Sequence, residues 1–405
     1  MKNTKIKNLD QRKRREKKFK IFGLSAIIAA MIFLLILLST IISRGYSGFF
    51  YSSIALEIDL TKERKIAEID HRQIIKKSLR NKFVDAKEIS EINSLYQIIS
   101  KISNIELKEK IINNPNLLGK KSIIYLRASS KSDMFFKHGS DIILTHNQKK
   151  WLNQIKEENS FKVKFNWNLF KIADSREADI AGLGASLIGS LFTMLIFLIL
   201  AFPIAIMCAF YLEEFAPKNY LTDIIEISIN NLAAIPSIIY GLLGLTIYLQ
   251  IMHLPRSSSL VGGMTLFMLV LPIIIISARN TIRSIPQSIR DAALALGASK
   301  MQTTLHHLLP LSIPGIMTGT ILAISRALGE TAPLLMVGMI AFIADIPRNF
   351  FDPTTVLPVQ IYLWSDSPEM GFAEKTSAGI MVLLVLLMLF NLSAIIIRKK
   401  FERKW

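Results

Sequence analysis

Apolar positions gather in six long runs, with one extended polar interval between the first and the second. Residues 21–43 (IFGLSAIIAAMIFLLILLSTIIS) carry no charge, and a helix needs about 20 such residues to cross the hydrocarbon core of a bilayer. A cleavable leader would have an apolar stretch of roughly 7–15 residues and a small-x-small cleavage site. This run is longer and ends in Ser43-Arg44-Gly45-Tyr46, so it predicts an anchor helix that is kept. Residues 180–212 (with Pro203), 227–252 (with Pro236, Gly241 and Gly244), 260–278, 313–344 (interrupted by Arg326 and Glu330) and 377–397 predict five more spans. Proline inside a span is tolerated where neighbouring groups satisfy the freed carbonyl. In the polar interval, 62–80 and 85–112 space Ile and Leu three and four apart (Ile89, Ile92, Leu95, Tyr96, Ile99, Ile102), a helical period. Ser122–Arg127 and Lys162–Trp167 predict short strands. The interval 44–178 is long enough to bury a core of its own and predicts a small α+β domain.

Composition sharpens this plan. The chain has 405 residues, 51% of them hydrophobic and 20% charged, below the roughly 25% charged residues of a soluble protein. Of the net charge of +18, residues 1–20 hold +8, the interval 44–178 holds +9, and the apolar remainder is almost neutral. A soluble enzyme and a disordered chain are excluded. Lys and Arg in short loops mark the cytoplasmic side. The basic tails and Arg279, Arg283, Arg290 and Lys300 in segment 279–312 place both termini and that segment inside. Segments 253–259 and 345–376, which includes Lys375, fall outside with the block 44–178; segment 213–226, with one Lys and four acids, is ambiguous. Arg279 reads as an interfacial anchor at the inner end of the fourth span. The segments are a basic tail (1–20), a first span (21–43), an external α+β domain (44–178), a core with five spans (179–398) and a second basic tail (399–405). The Lys-rich faces are solvated surface, and no aromatic–basic pattern suggests nucleic acid. Cys208, alone in an apolar run, is a small hydrophobe, and no Cys/His cluster has metal spacing.

Residues 286–315 carry the most specific pattern. A helical stretch from Ser288 to Leu296 stops at Gly297, the residue type able to take the left-handed conformation that ends a helix. Ala292, Ala293 and Ala295 permit close approach, and a second helix runs from Lys300 to Leu309 before Pro310. From the residues alone, this elbow is either a docking element or an ordinary surface hairpin. Asp291-Ala292-Ala293-x3-Gly297-x9-His307-x-Leu309-Pro310 resembles the EAA signature (E-A-A-x3-G-x9-I-x-L-P) of ABC importer permeases, with Asp for Glu and His for Ile. The stretch from Gly315 to Leu335, which includes Arg326, Gly329, Glu330, Thr331 and Pro333, together with Ala234-Ile-Pro236-Ser237 and Leu357-Pro358, is similar to phosphate-importer permeases of the Pst type. The resemblance covers residues 21–43 and about 180–398. The block 44–178 looks like the N-terminal extension of some members.

The resemblance implies the type I ABC importer permease fold, an all-α polytopic membrane domain of six transmembrane helices, with the α+β block inserted. It also implies three kinds of partner besides the lipid bilayer: a homologous permease (PstC-like), an ATP-binding subunit dimer (PstB-like) that carries the ATP and Mg, and an external phosphate-binding protein (PstS-like). The elbow would couple to the ATPase through Asp291, Ala292, Ala293, Gly297, Leu309 and Pro310. The chain itself has no Gly-x4-Gly-Lys-Ser/Thr phosphate loop, so it is expected to be a non-catalytic subunit. Arg326 and Glu330, four apart inside a span, have two readings. They form a buried ion pair between helices, or, with Thr331, a polar patch on an anion's path, where the planar donors of Arg suit phosphate oxygens. A permease for sulfate, molybdate or an amino acid, or a signalling receptor, are the alternative functions.

Overall fold

A computed structural model describes residues 2–61, 70–139 and 144–401. The first helix, α1 (Lys2–Gly45), is unbroken, because the Lys, Arg, Gln and Glu ahead of Ile21 are themselves good helix formers. It is about 66 Å long, twice the roughly 30 Å of a hydrocarbon core. The predicted anchor is thus continued by a charged rod. The side chains of residues 11–37 are exposed, and α1 packs only near its C-terminal end. There a Cβ on Gly45 would stand 2.8 Å from the backbone of Ser377.

The polar interval holds β1 (Phe50–Asp59), α2 (His71–Lys82), α3 (Ile89–Tyr96), α4 (Ser103–Asn113), β2 (Lys121–Arg127), α5 (Ser130–His138), α6 (His146–Glu157), β3 (Phe161–Phe165) and the single turn α7 (Asn168–Lys171). Both predicted strands are present, although β3 ends before Trp167. They flank a third strand, β1, which the sequence reading lacked; the order is β2-β1-β3 and both pairings are antiparallel. Alternation along β1 sends Ile54, Leu56 and Ile58 to one face, where they pack with Leu79, Leu107, Ile111, Trp151 and Leu152 from the helices. The helical period over 85–112 divides into α3 and α4. Residues 62–69 of the other predicted helical stretch lie outside the described residues. The chain enters and leaves this unit at one point: the Asn166 N–H donates to the Phe49 carbonyl at 2.8 Å.

The remainder is helical. α8 (Gly184–Phe210) and α11 (Ser259–Ser284) pack along their lengths, with Gly263 against Ile196, as small residues permit in membrane bundles. The run 227–252 is not one straight span. α9 (Tyr220–Ala233) and α10 (Ser237–Gly244, continued by a widened turn over Leu245–Ile251) meet at 102°. Pro236 stands in the bend and has no N–H to carry the α9 ladder forward. After α12 (Gln287–Ala295) and α13 (Lys300–Thr303) comes α14 (Leu309–Gly329). The run 313–344 is also broken: α14 stops at Gly329, and the short α15 (Ala332–Met336) turns against α10, where a Cβ on Gly241 would lie 2.7 Å from Pro333 Cα. α16 (Leu357–Ser365) dips back into the bundle, its Leu357 N–H donating to Ser190 Oγ at 2.8 Å. The last helix, α17 (Gly371–Phe401), begins six residues earlier than predicted. Among the described residues five helices are long and apolar enough to cross a membrane, and the bent α9–α10 pair makes a sixth if it counts as one span.

A Cβ at Gly189 of α8 would collide with the Thr355 carbonyl and Thr354 Oγ1. Gly189→Val should therefore push α16 out of its seat, and overpacking of this kind costs about 1–3 kcal/mol. The expected reading is a lower melting temperature of the purified protein in detergent; an unchanged one would remove this contact from the fold's support.

Buried polar groups bolt the sheet-bearing unit to the bundle. Arg127 of β2, 3% exposed, pairs with Glu106 at 3.1 Å and donates to the Asp179 carbonyl at 2.9 Å and to Asn166 at 3.1 Å. Lys137 of α5 donates to the carbonyls of Ser47 and Phe50 and pairs with Glu374 of α17 at 3.4 Å; His138 meets the same carboxylate at 2.5 Å. Lys375, expected in an external loop, is buried on α17 and donates to the Ala181 carbonyl. Burial pushes the nearby carboxyls of Asp179 and Glu369 above the usual carboxylate range.

Candidate functional site

Two constellations stand out, and α14 joins them. The first is the elbow. α11 ends at Ser284, Ile285 and Pro286 turn the chain, and α12 runs to Ala295. Gly297 then takes φ +86°, the left-handed conformation expected of it, and Ser299 opens α13 with a reciprocal cap to Gln302. The surface at this turn is apolar: Leu294, Leu296, Met301 and Leu305 are exposed, Leu296 to 89%. Asp291, Ala292 and Gly297 share that exposure, while Ala293 points inward. The Asp291 carboxylate accepts from Gln287 at 3.1 Å. His307 is also exposed, so the departure from an apolar residue disturbs no packing within the chain.

Leu309 and Pro310 correct the predicted outline. The second elbow helix does not stop before Pro310. It passes through a widened turn over Thr304–Leu308, in which the Leu309 N–H reaches back five residues to the Thr304 carbonyl, and continues as α14. A π turn shifts the bonding register, so a proline without an N–H can follow it without ending the helix. Residues Lys300–Gly329 thus form one rod of about 45 Å.

The elbow is tied down by arginines that find their acids in segment 213–226. Arg279, buried among α8, α9 and α11, bonds Glu213 at 2.6 Å and Glu226 at 2.7 Å; Arg283 bonds the same two carboxylates at 2.9 and 3.2 Å. Arg290 of α12 bonds Glu214 at 2.8 Å and donates to the carbonyls of Ile282 and Ile285. Arg279 is therefore not an interfacial anchor. The acids of the ambiguous segment are its counter-ions. Glu213, Glu214 and Glu226 were missed by sequence reasoning, although four acids in one short segment and a cluster of arginines in another were a visible signal.

The second constellation lies at the far end of the rod. Arg326 occupies the last turn of α14, and Glu330 follows where the backbone has turned extended. The pair spans 3.5 Å, with 41% of the Arg326 side chain and 19% of Glu330 exposed. Four-residue spacing brings them together, but not inside a continuous span as expected: they cap its broken end. The Thr331 carbonyl, next in line, accepts the N–H groups of Leu334 and Leu335 and so starts α15. Arg326, Glu330 and Thr331 are brought together, and they stand a rod's length from Asp291 and Gly297. An exposed guanidinium held loosely at a break between half-helices can bind an oxyanion reversibly. A fully buried pair could not. Among the described residues no group of His, Cys, Asp and Glu is placed to hold a metal ion.

Comparison with known proteins adds the following. Residues 201–405 match the family described as binding-protein-dependent transport system inner membrane component, and residues 6–144 match a domain of unknown function (DUF3333). The phosphate transport system permease protein PstA of Yersinia pestis is 33% identical over 221 residues, covering 54% of this chain and 73% of that one. The probable ABC transporter permease protein YqgI of Bacillus subtilis is 30% identical over 241 residues, 56% of this chain and 81% of its own. A solved structure of the MetNI methionine ABC transporter in an inward-facing conformation aligns with 54% of this chain and 97% of its own at 18% identity and a TM-score of 0.44.

Proposed function

This chain belongs to the binding-protein-dependent transport system inner membrane components, as a PstA-like type I ABC importer permease, and from that premise we propose that it forms half of the translocation path for inorganic phosphate. Phosphate is supported by the PstA relatives and by Arg326, whose planar donors match the oxygens of a tetrahedral anion. The single observation that carries the reading is the rod Lys300–Gly329, which joins an exposed apolar elbow to that arginine.

In this reading both termini are cytoplasmic and residues 44–178 are external. A homologous permease supplies the other half of the path, a dimer of ATPase subunits binds and hydrolyses ATP with Mg²⁺, and an external binding protein delivers phosphate. Closure of the ATPase dimer pushes on Gly297 and its apolar surround. The rod carries that displacement to Arg326 without an intervening hinge. Phosphate exchanges with the Glu330 carboxylate for the guanidinium, which keeps binding weak enough for release.

Reconstitution of the complete assembly in lipid vesicles tests this. Arg326→Gln should abolish phosphate uptake while the ATPase subunits still co-purify, and normal uptake by the variant would take Arg326 out of the path. Unlabelled sulfate, molybdate or an amino acid that suppressed uptake as well as phosphate does would overturn the choice of solute.

A further inference from the structure

The sheet-bearing unit carries a feature that the transport path does not use. Arg72, Lys76 and Arg80 recur every fourth residue along α2 and so form one stripe on one face of that helix. Lys76 Nζ stands 4.7 Å from the centre of the Tyr96 ring and Arg80 Cζ 5.5 Å from it, so both cations lie over the same aromatic ring. The Tyr96 hydroxyl is buried and has no hydrogen-bond partner among the described residues. Two clefts of about 660 and 520 Å³ flank the stripe and share Lys76 and Tyr96 as a common wall.

The acids near these clefts do not neutralise the stripe. Glu177 is paired with Lys101, and Asp59 lies beside Lys121 and accepts from Thr61. Asp179 and Glu369 also line the larger cleft, where Arg127 donates to the Asp179 carbonyl and the Ala178 N–H donates to the Glu369 carboxylate. Among the described residues no carboxylate pairs with Arg72, Lys76 or Arg80.

We propose that this stripe is a docking surface for an acidic face of the solute-binding protein. The inference rests on the reading that residues 44–178 face outward and that the chain works with such a protein. From Arg72 to Arg80 the helix advances about 12 Å. A single small anion fits within the reach of one guanidinium, whereas a row of carboxylates on a protein surface fits the whole stripe, with room for side chains in the clefts on either side. A partner seated here would be mechanically joined to the path, because Lys137 and His138 fasten the unit to Glu374 on α17.

The test uses the full assembly in vesicles, with phosphate uptake followed as a function of binding-protein concentration. The triple variant R72E/K76E/R80E should raise the concentration for half-maximal uptake at least about tenfold at low salt, since like charges across an interface are strongly repelled. The maximal rate should be kept, and the difference should shrink as salt screens it. Lysines introduced in the acidic face of the binding protein should restore the wild-type curve. A half-saturating concentration equal to wild type would overturn the proposal. So would a defect that disappears in vesicles of neutral lipid, which would assign the stripe to the membrane, or one that appears only in the phosphate dependence at saturating binding protein, which would assign it to the free anion. If the wild-type assembly imports a solute other than phosphate, the phosphate reading fails, and the same titration with that solute still decides the docking.

Discussion

Gly297→Val should uncouple ATP hydrolysis from uptake while leaving the membrane bundle folded. Gly297 holds φ +86°, and a Cβ placed there would meet nothing within 4 Å. The obstacle is thus the backbone conformation and not a collision. Left-handed geometry costs an L-residue about 1–2 kcal/mol, and valine, β-branched, is among the worst suited. One or two kcal/mol lowers the population of the competent turn by about 5–30-fold. The exposed Leu296 and Met301 on either side of the turn would lose their common orientation with it. Gly297→Asn should be milder, because Asn tolerates the left-handed region. The measurements are co-purification of the ATPase subunits and uptake per ATP hydrolysed in vesicles. Wild-type values for the valine variant would mean that the elbow does not dock.

The second large effect is expected at Glu213. Its two oxygens serve Arg279 at 2.6 Å and Arg283 at 2.9 Å, and the side chains of Glu213 and Arg279 are only 12% and 6% exposed. Glu213→Leu leaves two guanidinium groups to share Glu226, one of them buried. Removing one partner of a buried pair costs about 3–5 kcal/mol. The melting temperature of the detergent-purified protein should fall well below that of wild type. Glu213→Gln, which keeps an acceptor but no charge, should fall between the two. A leucine variant as stable as wild type would show that Glu226 alone balances both arginines.

These two sites differ in how far the sequence disclosed them. Gly297 was legible because a helix stop is a local property: a helical period with small residues, a glycine, then a second helical period, all within about twenty positions. The first anchor and the apolar runs were legible for the same reason. The bend at Pro236 and the end of α14 at Gly329 were not, because hydropathy reports how apolar a stretch is and not which way it points. Pro236 and Gly329 were in view, yet the uniform apolar character of 227–252 and 313–344 hid the changes of direction. β1 was overlooked because its signal is three alternating positions, Ile54, Leu56 and Ile58, lying just past a strongly apolar helix. The Arg279–Glu213–Glu226 cluster joins α11 to residues more than fifty positions earlier, and only the packing of α9 and of the end of α8 on α11 brings them together. Lys375 was assigned to an external loop because charge near the end of an apolar run ordinarily marks its edge. Here the helix starts earlier and the ammonium finds the Ala181 carbonyl instead of water.

The hydrogen bond between Asn166 and Phe49 has a genealogical consequence. A stretch of more than a hundred residues that departs and comes home across one peptide-to-peptide contact can be gained or shed without lengthening the backbone path, provided that Glu374, the partner of Lys137 and His138, changes with it. The surface of the extension can therefore diversify at its own pace, while the residues that fasten it to α17 change only in concert with that helix.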